Sequence, residues 1–287
     1  MEAVIVSKTK MQNSFCVGAI LYNGQGLRLL DSKGYNQPLD TKYKIGQIWD
    51  IKFTKRIDLK DPHNEDVLVQ SASFVNKFIG NLYLFLIDKI RVPVCKGSPN
   101  ELFDGLIQWT HNGSGYISER TGIPMYSVGF YISDRIIHYD NKHYIFPSDH
   151  QYFNAKKLAF VGCEEPTLTI SAGILIRVSL ARWWKPENVE IEKRCYVQIS
   201  GWYNAPLKDK CIILSIGKET LIVEKENKVG IYFKKQNEDF SNLEIGFEIT
   251  WLEITDNQAS RKDGQPPILE DGRTVYVAER VHQKFTI

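Results

Sequence analysis

Long hydrophobic runs are missing from this sequence. The most apolar stretch, residues 82–87, falls far short of the roughly 20 residues that span a bilayer. The opening MEAVIVSKTK lacks the apolar centre of a signal peptide. Five cysteines (Cys16, Cys95, Cys163, Cys195, Cys211) are odd in number, scattered, and form neither a CxxC pair nor a disulfide framework. These absences lead us to expect a cytoplasmic protein in a reducing compartment, with no membrane partner. Charge of one sign is also scarce. The net charge of +2 gives no whole-protein basic field that would draw in nucleic acid. There is no GxxxxGK[ST], no GxGxxG between a strand and a helix, and no GxSxG elbow. No cofactor is implied, and no repeat of fixed period stands out.

What is present is β-rich. Aromatic residues make up 12% of the chain, which favours strands, and 43% hydrophobic residues suffice for a sizeable core. Short strand patterns at residues 3–6, 15–22, 27–30, 45–53 and 67–69 are separated by turns, with Gly46 at a bend. The period then changes. Val75, Phe78, Ile79, Leu82 and Leu86 lie at helical spacing across residues 74–90, and Ser98-Pro99-Asn100-Glu101 reads as a second helix start. Hairpins follow. Asp140-Asn141 reads as a two-residue turn that sets His138 opposite His143. The expectation from the pattern is a mainly β protein whose first strands suit a small closed barrel such as an OB-fold, with a sandwich as the alternative that gives a similar pattern. Its divisions are residues 1–92, a helical joint and hairpin region at 93–170, and residues 171–287.

The densest chemistry lies in residues 173–203, which hold Arg182-Trp183-Trp184 and Gly201-Trp202-Tyr203. Neighbours on a strand face opposite sides, so at most one tryptophan of the pair is readily core while the other is outward, a rule that a strand end relaxes. An outward Trp beside Arg stacks on a base while the guanidinium meets a phosphate. Core packing with a cation–π contact is the competing reading. Residues 1–95 hold 13 basic and 9 acidic side chains, and Lys8, Lys10 and Arg28 there are candidate phosphate contacts or simply solvated charges. Two further clusters stay open. His63, Glu65 and Asp66 suit acid–base chemistry or local capping, and no nucleophile with an evident base accompanies them. His138 and His143, with Asp140 or His150, suit a metal or an exposed hairpin.

Two blocks carry a family resemblance. KTKMQNSFCVGAI, RLL, YKIGQIWDIKF and PHNEDVLV resemble the start of bacterial dual OB-fold domain proteins. SLARWWKPE and RCYVQISGWY resemble their second signature, and the blocks together cover most of residues 1–204. The resemblance implies two OB-like small β-barrels joined by a short helical segment, the first at 1–92 and the second at 171–287, and an accessory role in prokaryotic conflict or antiviral systems through nucleic-acid sensing or binding. It brings no catalytic residues. Its matching positions are Arg28, Trp49, His63, Glu65, Asp66, Arg182, Trp183, Trp184, Trp202 and Tyr203.

The expected function is a non-catalytic module that binds single-stranded nucleic acid or a nucleotide-like ligand. Its candidate contacts are Lys8, Lys10, Arg28, Trp49, Arg182, Trp183, Trp184 and Tyr203, with Tyr203 favoured over Trp202. An adaptor that holds a protein partner encoded nearby is the alternative. An enzyme or metalloprotein using the histidine clusters is the third reading.

Overall fold

A computed structural model describes residues 1–147, 155–187, 190–205, 210–226, 228–236, 238–250, 252–260, 267–269 and 272–280. The protein is mainly β. Its first five strands are β1 (Glu2–Lys10), β2 (Phe15–Leu21), β3 (Gly26–Leu30), β4 (Gln47–Lys55) and β5 (Asp66–Phe78). They close a barrel in the order β1-β2-β3-β5-β4. Inward residues Ala3, Ile5, Val17, Ala19, Leu29, Ile51 and Val67 alternate with outward ones and fill its core.

Ten further strands form one sheet: β6 (Val94–Lys96), β7 (Gln108–Trp109), β8 (Gly115–Ser118), β9 (Val128–Ile132), β10 (Ile137–Asp140), β11 (His143–Ile145), β12 (Lys157–Phe160), β13 (Thr169–Ile170), β14 (Leu175–Leu180) and β15 (Arg194–Tyr203). Their main order is β13-β10-β11-β12-β15-β14-β9-β6, with β8 pairing β15 and β7 pairing β8. The barrel and this sheet form one compact unit, residues 1–76 with 86–204. A second unit comprises residues 77–85 and 205–287. It holds β16 (Cys211–Ile216), β17 (Thr220–Lys225), β18 (Lys228–Phe233), β19 (Glu248–Ile249), β20 (Leu252–Gln258) and β21 (Val275–Arg280) in one six-stranded sheet. Among the described residues, no helix is long and apolar enough to cross a membrane.

The expected divisions need correction. Residues 93–170 are not a joint, because their strands β8, β9 and β12 hydrogen-bond directly to β14 and β15. Nor do residues 171–287 form one barrel, since the compact unit containing β14 and β15 ends at 204. The helix expected at 74–90 is mostly absent. β5 runs on to Phe78 as a largely exposed strand, and only Leu82–Leu84 forms an α-turn, followed by a π-turn at Phe85–Ile90. Asn76 at φ 58° interrupts any helical path through 74–78. The helix expected after Ser98 is a single 3-10 turn, Pro99–Glu101, ended by positive φ at Phe103 and Asp104.

Two β-bulges bring the barrel against the sheet. Val6 is the extra residue between the pairs Ile5–Ala19 and Ser7–Gly18, and its carbonyl accepts the Tyr203 hydroxyl at 2.6 Å. Ser200 is the extra residue where β15 runs beside β14, and its Oγ accepts from Arg177 Nη1 at 2.7 Å. Gly18 makes room for that guanidinium: a Cβ there would lie 2.7 Å from Arg177 Nη2. Further along β1, the Cys163 amide donates to the Lys8 carbonyl at 2.9 Å.

Candidate functional site

The PHNEDVLV block leads from a loop into β5, and successive residues of it grip the ten-stranded sheet. The Trp183 indole N–H donates to the Asp61 carbonyl at 2.7 Å. Asn64 donates to the Met125 carbonyl at 3.3 Å. Both carboxylate oxygens of Glu65 accept from Ser127, from its amide at 2.6 Å and its hydroxyl at 2.8 Å. Asp66 is buried at 1% exposure and lies between two arginines. Arg182 Nη2 donates to its Oδ2 at 2.5 Å. Arg28 Nη1 lies 3.1 Å from Oδ1 as an ion pair, but no N–H is aligned on that oxygen, which therefore has a charge partner without a hydrogen bond. Arg28 Nη2 also donates to Ser127 Oγ at 3.1 Å.

His63 is 1% exposed within this network. Its Nδ1 faces the Arg28 guanidinium at 3.5 Å, and a guanidinium only donates. Nδ1 is therefore the acceptor, and the proton sits on Nε2. That nitrogen lies 4.0 Å from Cys195 Sγ. Burial first, then the charges of Arg28 and Arg182, pull the imidazole down to about 3. Burial pushes the Cys195 thiol up to about 12. Nothing in the spacing of the two residues announces this Cys–His pair. Its members are driven in opposite directions and both stay uncharged at neutral pH, unlike an activated thiolate beside an imidazolium. The cluster of His63, Glu65 and Asp66 thus fastens barrel to sheet, with His63 and Asp66 buried and both Glu65 carboxylate oxygens on Ser127.

The histidine hairpin is also shifted from expectation. Asn141 and Lys142 form the turn, both at positive φ as a type I′ turn requires. His138 then pairs with Ile145, and His143 with Asp140. Among the described residues no group of three or more His, Cys, Asp or Glu is arranged to hold a metal ion. His150 lies outside the described residues.

A cleft of about 300 Å³ opens on the outward face of the ten-stranded sheet. Its floor follows from strand register. His143 pairs with Ala159 and Ala159 with Gln198, so the three form a row across β11, β12 and β15. Tyr196 and Lys157 lie two residues along their strands, on the same face. The alternate residues Tyr144, Leu158, Cys195, Val197 and Ile199 enter the core beneath. Arg182 and Trp184 form one wall, Ser114 and Gly115 another. Trp184 is held by two backbone hydrogen bonds to Arg194, at 3.0 and 2.8 Å, and its ring lies 6.1 Å from that of Tyr196. At 54% exposure it leaves a ring face open. Gly115 lets this wall sit close, because a Cβ would lie 2.9 Å from both Ile107 and Leu158.

The cleft unites only part of the expected site. Arg182 and Trp184 line it, and Arg182 serves both regions: one nitrogen is on Asp66, yet its side chain is 51% exposed. Trp183 lies past the end of β14, partly buried against the core with its indole N–H on the Asp61 carbonyl. Tyr203 is 7% exposed with its hydroxyl on Val6, so it offers no face for stacking. Trp202 packs half-buried between Tyr144 and Phe160. Trp49 fills the barrel core beside Tyr43 at 4.8 Å and donates to Gln47. Arg28 is 9% exposed and ion-paired. Burial therefore corrects the expected ligand-contacting role of Tyr203, Trp49 and Arg28, while the partly buried Trp183 stands outside the cleft lining. Lys8 lies 4.1 Å over the Phe15 ring and donates to the Tyr43 carbonyl, Lys10 is exposed at the strand end, and neither lines the cleft. Tyr196, Gln198 and Lys157 were missed, although the alternation in RCYVQIS already turned Tyr196 and Gln198 away from the core.

Comparison with known proteins adds the following. The search of curated proteins finds no match to this chain. Among solved structures, a multidomain protein with nucleic acid binding domains from Streptococcus pneumoniae TIGR4 is 8% identical, with 96% of this chain and 72% of that chain covered. The TM-score is 0.17, a likeness too slight to support a structural argument. The family model is decisive, for the dual OB-containing domain matches residues 1–202, the closed barrel and nearly all of the sheet packed on it. By that match the chain belongs to the dual OB-containing domain family.

Proposed function

We propose that the cleft on the ten-stranded sheet binds single-stranded nucleic acid or a nucleotide-like ligand, with no chemical step. The observation that carries this reading is the joint placement of Trp184, Arg182 and Lys157 around one opening. A base stacks on the exposed face of Trp184, with Tyr196 behind it, and such a stack is worth about 1–3 kcal/mol. Arg182 and Lys157 meet the phosphate. No described residue pairs with the Lys157 ammonium, so it reaches an anion without first breaking an ion pair. The family resemblance suggests the setting, a sensing or binding component of a prokaryotic antiviral system, and that setting is part of the proposal.

Titration of labelled single strands into the protein at 50 and 200 mM salt tests the reading. Binding is expected at low salt, with a clear loss of affinity at high salt as phosphate contacts release counterions. No salt-sensitive binding to any oligonucleotide or nucleotide would end it. Affinity only for a protein encoded nearby would put the adaptor reading in its place.

A further inference from the structure

We propose that the cleft selects bases carrying an exocyclic amino group beside a ring-nitrogen acceptor on an edge remote from the sugar, namely adenine and cytosine, through His143 and Gln198. This rests on the nucleotide-binding reading above and names the chemistry that the same site prefers.

The argument starts from the floor of the cleft. His143 Nδ1 lies 2.8 Å from the Asn141 carbonyl. A carbonyl only accepts, so Nδ1 carries the proton and a neutral His143 presents Nε2 as an acceptor. The Asn141-Lys142 turn fixes this tautomer, because it holds that carbonyl beside the ring. Gln198 has no hydrogen-bond partner among the described residues, which leaves its amide free to offer one donor group and one acceptor. It shares the outward face of β15 with Tyr196, while Val197 between them is buried.

The two side chains stand at the ends of the row His143–Ala159–Gln198. Two strand spacings separate their backbones by about 10 Å. Ala159 between them carries only a methyl group, so both side chains can reach toward one ligand edge lying over it. The floor then offers two acceptors, His143 Nε2 and Gln198 Oε1, and one donor, the Gln198 amide nitrogen. Adenine presents the complement on its N6/N7 edge: two amino hydrogens and a ring-nitrogen acceptor, the edge that a glutamine amide reads bidentately. Cytosine offers the same set at N4 and N3. Guanine's amino group sits at N2 beside N3, an edge shielded by the sugar, and on its open edge guanine puts two acceptors, O6 and N7, where adenine has its amino group and N7, so O6 faces the histidine lone pair with no hydrogen between them. Uracil and thymine put a carbonyl at the same place. The volume of about 300 Å³ is at the small end of ligand sites and suits one nucleotide rather than a run of bases.

The same base chemistry reaches the cleft as a free nucleotide or as one residue of a strand. The test therefore has two arms at pH 8. The first measures affinities for AMP, CMP, GMP and UMP, and the second for homopolymeric single strands of the four bases. The expected result in at least one arm is about tenfold or more tighter binding of the amino bases than of the keto bases. Binding of mononucleotides identifies a free nucleotide as ligand, and binding confined to oligomers identifies a strand. Gln198→Leu and His143→Leu each bring the ratio toward one, while phosphate-driven, salt-sensitive binding remains. Circular dichroism and melting curves confirm that both variants fold. Equal affinity for all four bases, or a ratio unchanged in both variants, overturns the selectivity and leaves nucleotide binding standing. Absence of binding by every base in both arms overturns the binding reading and the selectivity together.

Discussion

Two regions of the first unit hold the polar and aromatic residues that the sequence singles out, and they put them to opposite uses. Around the PHNEDVLV block the charges are committed to partners within the protein. Arg28 and Asp66 are ion-paired, His63 is neutral, and Glu65 is bound by both of its oxygens to Ser127. In the cleft Trp184 is open, and among the described residues neither the Lys157 ammonium nor the Gln198 amide has a partner. Arg182 belongs to both, with one nitrogen on Asp66 and half its side chain exposed. A side chain fully committed to the protein contributes to folding, while one with unspent hydrogen-bonding capacity is available to a ligand. Residue type does not separate these uses. Burial and partners do.

The largest effect expected from this comparison is on stability. Asp66→Ala leaves the buried Arg28 guanidinium without its counter-charge and frees Arg182. Breaking a buried pair from one side costs about 3–5 kcal/mol. Chemical denaturation should show that loss, and a change below 1 kcal/mol would mean that the block does not fasten barrel to sheet.

The next effect is on the response to acid. The folded imidazole of His63 sits at about 3, below its ordinary value near 6.5. Above pH 6.5 neither state takes up a proton at this site, and its neutral form costs nothing. Between pH 6.5 and 3 the unfolded chain binds a proton that the folded chain refuses, so stability falls as pH falls, by up to about 1.4 kcal/mol per pH unit. His63→Gln should flatten this part of the stability profile in urea melts. A variant whose slope matches the wild type would show that other groups carry the acid sensitivity.

The smallest stability effect accompanies the most specific loss of function. Trp184→Ala removes an exposed ring, so its melting point should stay within what about 0.5 kcal/mol allows. Its affinity for a single strand should drop by the equivalent of about 1–3 kcal/mol, one lost stack. Equilibrium binding and calorimetric melting of the same sample separate the two. If stability falls and affinity holds, the assignment of the two regions is reversed.

Much of the barrel was legible because its strands alternate and its turns carry Asn-Gly or bend at Gly46. Residues 74–78 misled for a physical reason. Val75 and Phe78 suit helical spacing, but on a largely exposed stretch of strand no core enforces the period of two, so the pattern is ambiguous. The hairpin was misplaced by one residue, because Asn141 tolerates positive φ at either turn position and Lys142 gives no such signal. Trp183 and Trp184 were not separable by alternation, because β14 ends at Leu180 and the pair follows it. The fate of Arg28, His63 and Asp66 was not legible, because Ser127, Arg182 and Cys195, which bury and neutralise them, lie 99, 116 and 132 residues away from their respective partners. Tyr203 was misjudged for a related reason: its position beside Trp202 says nothing of the Val6 carbonyl that a bulge frees 197 residues earlier.

The most direct test is to locate the ligand on the protein. Ultraviolet crosslinking of a labelled single strand, followed by mass spectrometric mapping of the modified peptides, identifies the residues in contact with bases. The account predicts crosslinks on Trp184 and Tyr196, lost on competition with unlabelled strand. Crosslinks confined to residues 8–10 of the barrel or to residues 205–287, with none at Trp184 or Tyr196, would contradict it.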